Sequence, residues 1–255
     1  MANTVYANKV IEAKAKDLLL TALNARNYMT VDTSLAESAG MTKTINTYTY
    51  TGEAEELATG AANTSKGSIT YTPNDYTVKR VQQTFVYNDD DFMKDPTIVD
   101  NMLKGANQVM VNKMVADFKT ECEKATLSAS YTTLGYDAIV DGIGELNLED
   151  ESAVFTIIPN TQKKELRKDD DYKAARMGEV VYTGQIGTVC GIPVIASKAF
   201  DVPKVMTKEA ITLFIKKDVQ VEQKRDIETK DNTVVLTTYY ICALTDATKI
   251  CKLAK

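Results

Sequence analysis

The feature that most constrains this chain is a long stretch of alternating threonine and tyrosine between Met41 and Asp91. The segment TKTINTYTYTG changes side-chain type at every step, which is typical of a β-strand with two different faces. One face would carry Ile45, Thr47 and Thr49, and the other would carry Asn46, Tyr48 and Tyr50. The extended pattern returns in Ser68–Thr72 and in Val78–Tyr87. Together these strands predict a long β-ribbon with too few large aliphatic residues for a core of its own, so the ribbon needs a neighbour to pack on.

A long amphipathic helix is predicted directly after the ribbon. Asp95 can cap the free N–H groups of a helix, and Pro96 suits the first helical position. Apolar side chains then recur at three- and four-residue steps at Ile98, Met102, Ala106, Val109, Met110, Met114, Phe118, Cys122 and Ala125. The stripe continues to Thr126 and predicts a helix of roughly 45 Å at 1.5 Å per residue. A helix of that length crosses a whole domain.

The remaining segments predict a mixed α+β chain. Residues 5 to 27 favour an N-terminal helical arm, because alanine and leucine are frequent there and apolar residues fall near helical spacing. The middle of the chain predicts a helix at Tyr136–Asn147, a buried strand at Ala153–Ile158, a helix at Thr161–Lys168 with Asp169–Asp171 as its exposed exit, and two short strands around a tight turn in Gly184–Phe200. The last part predicts an antiparallel sheet of Ile211–Ile215, Val219–Ile227, Val234–Leu244 and Lys249–Leu253.

The composition removes several classes of function. The chain has no histidine, which excludes histidine-based triads, imidazole bases and histidine-ligated metals. A net charge of −5 gives no broad cationic surface for sequence-independent binding of nucleic acid. No apolar run is long enough to span a bilayer, so we expect no membrane contact and a protein made and kept in the cytosol. The four cysteines, Cys122, Cys190, Cys242 and Cys251, form no CxxC pair and are expected to be reduced and buried.

No sequence motif for catalysis, a cofactor or a metal is complete. The runs Asp89–Asp91 and Asp169–Asp171 could ligate Mg²⁺ or Ca²⁺ in principle, but consecutive carboxylates diverge in most backbones, and solvated turns are the commoner interpretation. Two glycine pairs, in segments 142–144 and 184–187, do not complete a phosphate-binding GxGxxG, and no GxxxxGK occurs. We therefore predict that the protein is not an enzyme and has no catalytic residue, cofactor or metal.

Charged residues cluster on and beside the predicted ribbon. Three glutamates lie on the outer part of the ribbon, and three basic residues follow further along the same predicted segment. This gives six candidate subunit-interface residues: Glu53, Glu55, Glu56, Lys66, Lys79 and Arg80. One interpretation is ordinary surface charge, which is worth little per pair. The other is that opposite charges set the register of a projecting arm against a neighbouring subunit. The residue pattern leaves both interpretations open.

Two stretches of the C-terminal half resemble the ends of phage capsid sequences. They are GQIGTVCGIPVIASKAF at Gly184–Phe200 and DVQVEQKRDIETKDNTVVLTTYYICALTDATKICKL at Asp218–Leu253. The order of N-terminal helical arm, long β-ribbon, long helix, mixed middle, glycine-proline strand pair and terminal sheet is similar to that of the tailed-bacteriophage major capsid protein family. This resemblance to the Hong Kong 97 capsid fold spans nearly the whole chain.

The resemblance implies an α+β fold of the Hong Kong 97 type with five parts. These are an N-terminal arm at 1–40, an extended β-ribbon loop at 41–91, a peripheral domain with the spine helix at 92–135, an axial domain at 136–206, and return strands of the peripheral domain at 207–255. The ribbon would overlap a neighbouring subunit, and the axial domain would gather around five- and sixfold vertices. Some members of the family cross-link a loop lysine to a neighbour, and Lys66 stands where such a lysine could be.

The implied function is that of a major capsid protein, which self-assembles into the icosahedral shell around phage double-stranded DNA in the bacterial cytoplasm. Its partners would be copies of itself in hexamers and pentamers and packaged DNA without sequence-specific contact. Portal and decoration proteins are further candidates, as is a separate scaffolding protein, because only about forty residues precede the ribbon. Two alternatives stay open: the shell of an encapsulin-like bacterial nanocompartment, and a monomeric metal-binding or catalytic domain that uses Asp89–Asp91.

Overall fold

The computed structural model describes residues 25–37, 39–175 and 187–255. The N-terminal helix predicted for residues 5 to 27 lies almost wholly outside these ranges. Its last three positions belong to a single 3₁₀ turn, Ala25–Tyr28, in which Ala25 is buried. From this turn the chain runs directly into the first strand of the body.

The described residues form six α-helices and twelve strands. The helices are α1 (Ser34–Glu37), α2 (Asp89–Lys94), α3 (Ile98–Cys122), α4 (Tyr136–Leu146), α5 (Lys163–Lys168) and α6 (Asp170–Ala175). The strands are β1 (Thr30–Asp32), β2 (Thr42–Thr51), β3 (Ser68–Thr77), β4 (Lys79–Asn88), β5 (Leu127–Ser130), β6 (Val154–Pro159), β7 (Thr188–Val189), β8 (Ile192–Ser197), β9 (Lys204–Thr207), β10 (Ile211–Arg225), β11 (Asp231–Leu244) and β12 (Ile250–Ala254). The mixed α+β class is therefore confirmed.

One half of the body is a four-stranded sheet covered by the long helix α3. The strand order is β1-β10-β11-β4, with β1 parallel to β10 and the other two pairings antiparallel. Every second residue of β11 from Asn232 to Cys242 is buried, which matches the two-residue period of a sheet with one covered face. The stripe of α3 that faces the core includes Leu103, Met110 and Phe118. Burial of each such side chain contributes about 1.5–3 kcal/mol.

The long helix is confirmed, with bounds shorter than predicted at both ends. It begins at Ile98 and not at Pro96, because Oδ1 of Asp95 accepts hydrogen bonds from the Thr97 amide (2.9 Å) and hydroxyl (2.6 Å) and holds that residue outside the helix. It ends at Cys122, since the chain must turn to reach β5. Its 25 residues span about 37 Å at 1.5 Å per residue.

The other half of the body is a six-stranded mixed sheet in the order β5-β12-β9-β6-β8-β7. All six residues of β6 are buried, as predicted for an apolar strand that ends at Pro159. The buried face of α4, which includes Ile139 and Ile143, packs against this sheet. This half therefore has its own core, with Leu134 and Tyr172 among the side chains it buries almost completely.

The predicted place of the last strand is wrong. Its sequence predicted a member of a terminal antiparallel sheet, but β12 pairs in parallel with β5 and antiparallel with β9 in the six-stranded sheet. The strand β11 is already paired on both edges, by β10 and β4, so it has no edge to offer. In its actual place β12 buries Ile250, Cys251 and Leu253 completely.

The ribbon is a separate two-stranded sheet of β2 and β3. Ten consecutive pairs run without interruption from Thr42 opposite Thr77 to Thr51 opposite Ser68. The prediction that Val78–Tyr87 is a third strand of the ribbon is wrong, because β4 leaves the ribbon and pairs with β11 over ten residues. The apolar residue Tyr87 of β4 is buried in the core beneath α3, which holds this strand in the body.

The second aspartate run follows the helix that ends at Lys168, and Asp170 and Asp171 are exposed as predicted, but Asp169 is only partly exposed. Oδ2 of Asp169 accepts hydrogen bonds from the backbone amides of Tyr136 (2.9 Å) and Tyr172 (3.2 Å). These amides belong to the first turns of α4 and α6, where free N–H groups favour a carboxylate. A side chain at Gly135 would collide with this carboxylate, which explains the glycine. One aspartate thus joins two helix ends.

Two glycines of α4 provide a test of the packing between this helix and the sheet. A Cβ at Gly142 would lie 2.6 Å from Cδ2 of Leu253 and 2.9 Å from Cγ2 of Val205, and both neighbours are fully buried and have no room to move. We expect Gly142→Ala to lower the free energy of unfolding by about 1–3 kcal/mol. Gly144 has open space around its Cα. Gly144→Ala should therefore raise the free energy of unfolding by up to about 1 kcal/mol. Urea unfolding of both variants checks this, and equal stability would contradict the packing described.

Candidate subunit interface

The ribbon is attached to the body by a small apolar cluster at its root. Val78 is 2% exposed and packs with Leu35, Phe214 and Ala243. The ring of Tyr76 stacks on Phe214 with ring centroids 5.4 Å apart, and its hydroxyl donates to the carbonyl of Leu244 at 3.4 Å. The body core therefore sets the direction in which the ribbon leaves.

The two faces of the ribbon differ chemically. Tyr48 lies opposite Tyr71 with ring centroids 6.4 Å apart, and Tyr50 lies opposite Ile69. We call these four residues the tyrosine face. The opposite face carries the pairs Thr47/Thr72 and Thr49/Thr70. Tyr48 and Tyr71 are 69% and 63% exposed, so the tyrosine face is an apolar surface that no other described residue covers.

The loop at the end of the ribbon, Gly52–Gly67, is held together by its own polar groups, and we call it the ribbon loop. The carboxylate of Glu55 accepts hydrogen bonds from the hydroxyl (2.6 Å) and the amide (2.9 Å) of Thr64. These hydrogen bonds hold the pKa of Glu55 below its usual range. The amide of Glu53 donates to Oγ of Ser65 at 3.2 Å. The two limbs of the loop are therefore tied to each other.

An open cleft of about 270 Å³ lies beside the root of the ribbon, between α3, β4 and β11. The helix supplies Lys113, Asp117 and Glu121, the edge strand β4 supplies Lys79 and Arg80, and β11 supplies Tyr240. Thr120, Val81, Ile241 and Cys242 complete the lining, although the side chain of Ile241 packs with the apolar cluster on the other face of the sheet. The cleft thus combines an apolar floor with charged walls.

One acid of the cleft is neutralised within the chain. The carboxylate of Asp117 forms an ion pair with Lys113, one helical turn earlier, and accepts a hydrogen bond from the hydroxyl of Tyr240 at 3.0 Å. Burial and the neighbouring Asp117 carboxylate raise the pKa of Tyr240 above its usual range. The phenol therefore stays protonated and acts as a hydrogen-bond donor.

The second acid of the cleft is also satisfied. Glu121 accepts a hydrogen bond from the amide of Leu244 at 3.1 Å and forms an ion pair with Lys124 at 2.6 Å. The side chains of Lys79 and Arg80, in contrast, form no hydrogen bond or ion pair with any other residue that the structure describes. Of these two cations, Lys79 lies on the face of β4 that turns towards α3, and Arg80 lies on the opposite face.

The structure divides the six charged candidates into two groups. Glu53, Glu56 and Lys66 are exposed on the ribbon loop, Glu55 is bonded within that loop, and Lys79 and Arg80 stand at the root. The prediction that Lys79 and Arg80 lie on the ribbon is wrong, because both residues belong to β4, which pairs with the body. Ten paired residues, or about 30 Å of strand, separate the two groups. They do not meet within one chain, and their place in an interface stays a prediction.

Residues of the cleft wall were not found from the sequence. Asp117 and Glu121 look like ordinary exposed positions of an amphipathic helix, and nothing local links them to Tyr240. The one available signal is the two-residue alternation of β11, which turns Tyr240 and Cys242 towards the helix. That signal predicts burial and does not predict a cleft.

The cysteines are free, and three of the four are buried as predicted. Burial raises the pKa of the Cys242 thiol to about 12, so the thiol stays protonated. The exception is Cys190, which is exposed. With Gly191 it forms the two-residue turn between β7 and β8, where both residues have positive φ (51° and 79°) and a buried position is not available.

The first aspartate run forms the first turn of the helix α2 instead of the predicted non-helical turn, and Asp90 and Asp91 are solvent-exposed as predicted. The carboxylate of Asp89 accepts hydrogen bonds from Arg225 at 2.5 Å and from Nδ2 of Asn232 at 2.7 Å. The hydrogen bonds from Arg225 and then Asn232 hold the pKa of Asp89 below its ordinary value of 3.8. Among the described residues no group of three or more acidic or cysteine side chains is arranged as a metal site.

Removal of the Asp89 carboxylate should destabilise the fold, because Asn232 is only 1% exposed and would lose the acceptor of its amide group. We expect Asp89→Ala to lower the free energy of unfolding by about 1–3 kcal/mol. The matched control is Asp90→Ala, at an exposed side chain of the same turn, and it should change the stability by less than about 1 kcal/mol.

The same pair of proteins gives a pH test. A lowered folded-state pKa stabilises the protein above the unfolded pKa, and this contribution is lost as the pH falls through the folded value. The stability gap between the wild type and Asp89→Ala should therefore be constant near neutral pH and shrink below pH 3.8. Urea unfolding over a pH series measures the gap, and a gap that widens in acid would refute this role of Asp89.

No helix in the described part of the chain is long and apolar enough to cross a membrane. No protein-family profile matches the sequence, and no curated protein sequence matches it either. The three-dimensional fold, in contrast, matches solved structures of shells over most of the chain.

Three of these structures illustrate the similarity. The virus-like particle from Pyrococcus furiosus is 10% identical, with a TM-score of 0.68, and the match covers 98% of this chain and 100% of that chain. The mature capsid of bacteriophage PhiM1 is 11% identical, with a TM-score of 0.71, over 90% of this chain and 86% of that chain. The capsid of cyanophage P-SCSP1u is 11% identical, with a TM-score of 0.70, over 89% and 86%. The chain therefore has the fold of phage capsid proteins, as its order of elements predicted.

Proposed function

We propose that this chain is a major capsid protein, which assembles with copies of itself into an icosahedral shell that encloses phage double-stranded DNA. The observation that carries the proposal is the ribbon, which presents an open tyrosine face on a chain with a capsid fold. A two-stranded ribbon is marginal in water on its own, and a neighbouring subunit that covers the tyrosine face would stabilise it.

The two halves of the body correspond in this proposal to the peripheral and axial domains of the Hong Kong 97 fold. The four-stranded sheet with α3 as its spine would be the peripheral domain. The six-stranded sheet with α4 would be the axial domain, which gathers around five- and sixfold vertices. Because β5 and β12 pair in the six-stranded sheet, we assign residues 127–130 and 250–254 to the axial domain as well.

In the proposed shell each ribbon lies over an adjacent subunit, and the same contact repeats around every ring. Each contact is modest in area, but every subunit is held by several neighbours at once, so the closed particle resists dissociation far more than one interface would. The net charge of −5 suits a DNA container, because a strongly basic wall would bind the genome and oppose its packing or ejection. The subunit would act in the virion as a structural component without catalysis, after assembly in the host cytoplasm, alongside separate scaffolding, portal and decoration proteins.

A second candidate function is the shell of an encapsulin-like nanocompartment. The observation that favours it is the match with the virus-like particle from Pyrococcus furiosus, which covers nearly all of both chains. The contents of purified particles separate the two candidates. Double-stranded DNA protected from nuclease supports the phage capsid, and a co-purifying protein cargo without DNA supports the compartment.

The tyrosine face should be essential for assembly and dispensable for folding. In the variant Tyr48→Thr with Tyr71→Thr, the strands keep residues with high β-propensity but lose two aromatic anchors. We expect the protein concentration needed for shell formation, measured by light scattering and negative-stain microscopy, to rise by about tenfold or more. The control is Thr49→Ser with Thr70→Ser on the opposite face, which should assemble like the wild type. Equal assembly by both double variants would show that the tyrosine face makes no contact.

Removal of the ribbon loop tests the ribbon as a whole. Thr51 and Ser68 are directly paired, so a two-residue Asn-Gly turn can join them in place of Gly52–Gly67. We expect circular dichroism and thermal unfolding of this variant to resemble those of the wild-type subunit, because the loop contributes nothing to the body core. Electron microscopy should show no closed shells. Normal shells from this variant would exclude the role proposed for the ribbon.

A further inference from the structure

We propose that two copies of this chain pair edge to edge along β4, antiparallel about a two-fold axis at Thr84, so that their four-stranded sheets join into one sheet of eight strands. This inference goes beyond the ribbon contact of the proposed function, because it concerns a different surface and needs two copies but no shell. In the proposed shell it would be a two-fold contact between subunits.

Among the described strands, β4 is the long edge of the body that is left open. It ends the four-stranded sheet, and its ten residues pair with β11 without a register irregularity. Other edge strands of the body are short, with three residues in β1, four in β5 and two in β7. Where β10 extends beyond β1, two irregularities bend it. A long straight edge is the kind that pairs with a strand of another chain.

The alternation of an antiparallel pair assigns the backbone groups at this edge. The amide of Asp89 donates to the carbonyl of Lys230 at 3.2 Å, so the odd-numbered residues of β4 direct their N–H and C=O groups towards β11. The amide of Val78 fits this rule, since it donates to the carbonyl of Met41 and not to β11. The even-numbered residues of β4 therefore direct their backbone groups to the open side. Four of them offer both groups to a second strand: Arg80, Gln82, Thr84 and Val86.

A second copy of β4 satisfies these groups in antiparallel register. With the axis at Thr84, this residue faces its own copy, and Gln82 faces Val86 of the other copy. Every facing pair then consists of two outward residues, which exchange two hydrogen bonds. With Arg80 opposite Asn88, the register forms about ten hydrogen bonds between the copies. Thr84 and Val86 are exposed, and both are residue types that favour strands.

The charges at the two ends of β4 favour this orientation. Lys79 and Arg80 begin the strand, and their side chains form no ion pair or hydrogen bond with another described residue. The run Asp89–Asp91 follows the other end, and its last two residues are exposed. An antiparallel pair brings the cationic start of each copy beside the acidic end of the other. A parallel pair would instead bring like charges together at both ends.

Cross-linking at the axis tests the register. Thr84→Cys is introduced in a Cys190→Ser background, which removes the exposed native thiol. The two Cα atoms at the axis would lie about 5.5 Å apart, a separation that a disulfide spans. The matched control is Glu222→Cys, at an exposed residue in the same row of the sheet but on β10. We expect mild oxidation of free subunits to link Thr84→Cys into dimers about tenfold faster than the control. Equal rates, or faster linking of the control, would overturn the pairing.

Mixing of two charge variants tests the orientation in the same Thr84→Cys background. Lys79→Glu with Arg80→Glu makes both ends of the strand acidic, and Asp90→Lys with Asp91→Lys places basic side chains at both ends. We expect each variant alone to cross-link about tenfold more slowly, because like charges meet. An equimolar mixture should recover the original rate to within about threefold, because acidic ends then face basic ends.

Recovery on mixing separates the contact from an effect on folding, because one misfolded variant cannot be repaired by another. Circular dichroism of each variant provides the independent check of folding. Unchanged rates for the separate variants, or no recovery in a mixture of folded variants, would overturn the proposed orientation.

The outcomes are distinguishable from those of the proposed function, because dimers of free subunits do not require a shell. Normal shells in which Thr84→Cys cross-links no faster than Glu222→Cys, before and after assembly, would overturn the pairing and leave the ribbon contact intact. Protein that links through Thr84→Cys but forms no shells, with or without a scaffold, would support the pairing and remove the proposed capsid function.

Discussion

The antiparallel register between β4 and β11 determines where the ribbon and the cleft lie on the molecule. It sets Lys79 opposite Tyr240 and Asn88 opposite Asp231, with eight further pairs between them. This alignment turns the odd-numbered side chains of β4 towards α3. It also places the start of the strand directly after the buried Val78. The ribbon must leave the body at that point, and the cleft must form beside it. The position of both surfaces therefore follows from one strand pairing, and their distance follows from the length of β2 and β3.

Local patterns of the sequence were sufficient for the elements that have a regular period. The two-residue alternation predicted β2 with its threonine and tyrosine faces, and the three- to four-residue stripe predicted the helix from Ile98 to Cys122. In both cases the side chain at each position reports directly on which face is covered. The fold class and the order of elements could be predicted for the same reason, and with them the resemblance to capsid proteins. The candidate site was predicted only as a set of charged positions on a projecting arm.

The parts that the sequence did not predict depend on which edges and helix ends are free in three dimensions. Nothing local in Ile250–Ala254 reports that both edges of β11 are occupied, so its place beside β5 could not be read from periodicity. Asp169 looks like one of three equivalent aspartates until the starts of α4 and α6 converge on it. Likewise, Lys79 and Arg80 seemed to continue the ribbon because β3 and β4 are separated by a single residue. Contacts between residues distant in sequence decided each case.

In the proposed shell the ribbon is exposed before assembly and buried after it, and the chemistry of the ribbon suits that change. Tyrosine offers a large apolar ring for an interface, yet its hydroxyl tolerates water, so a free subunit can carry the tyrosine face without the penalty of an aliphatic surface. A bare two-stranded ribbon also has two open edges, which invite strand pairing between ribbons. The ribbon loop bears three glutamates against one lysine, so loops of free subunits repel one another. In the proposed shell, that repulsion disfavours contact between two ribbon loops and leaves the tyrosine face as the surface through which the ribbon binds.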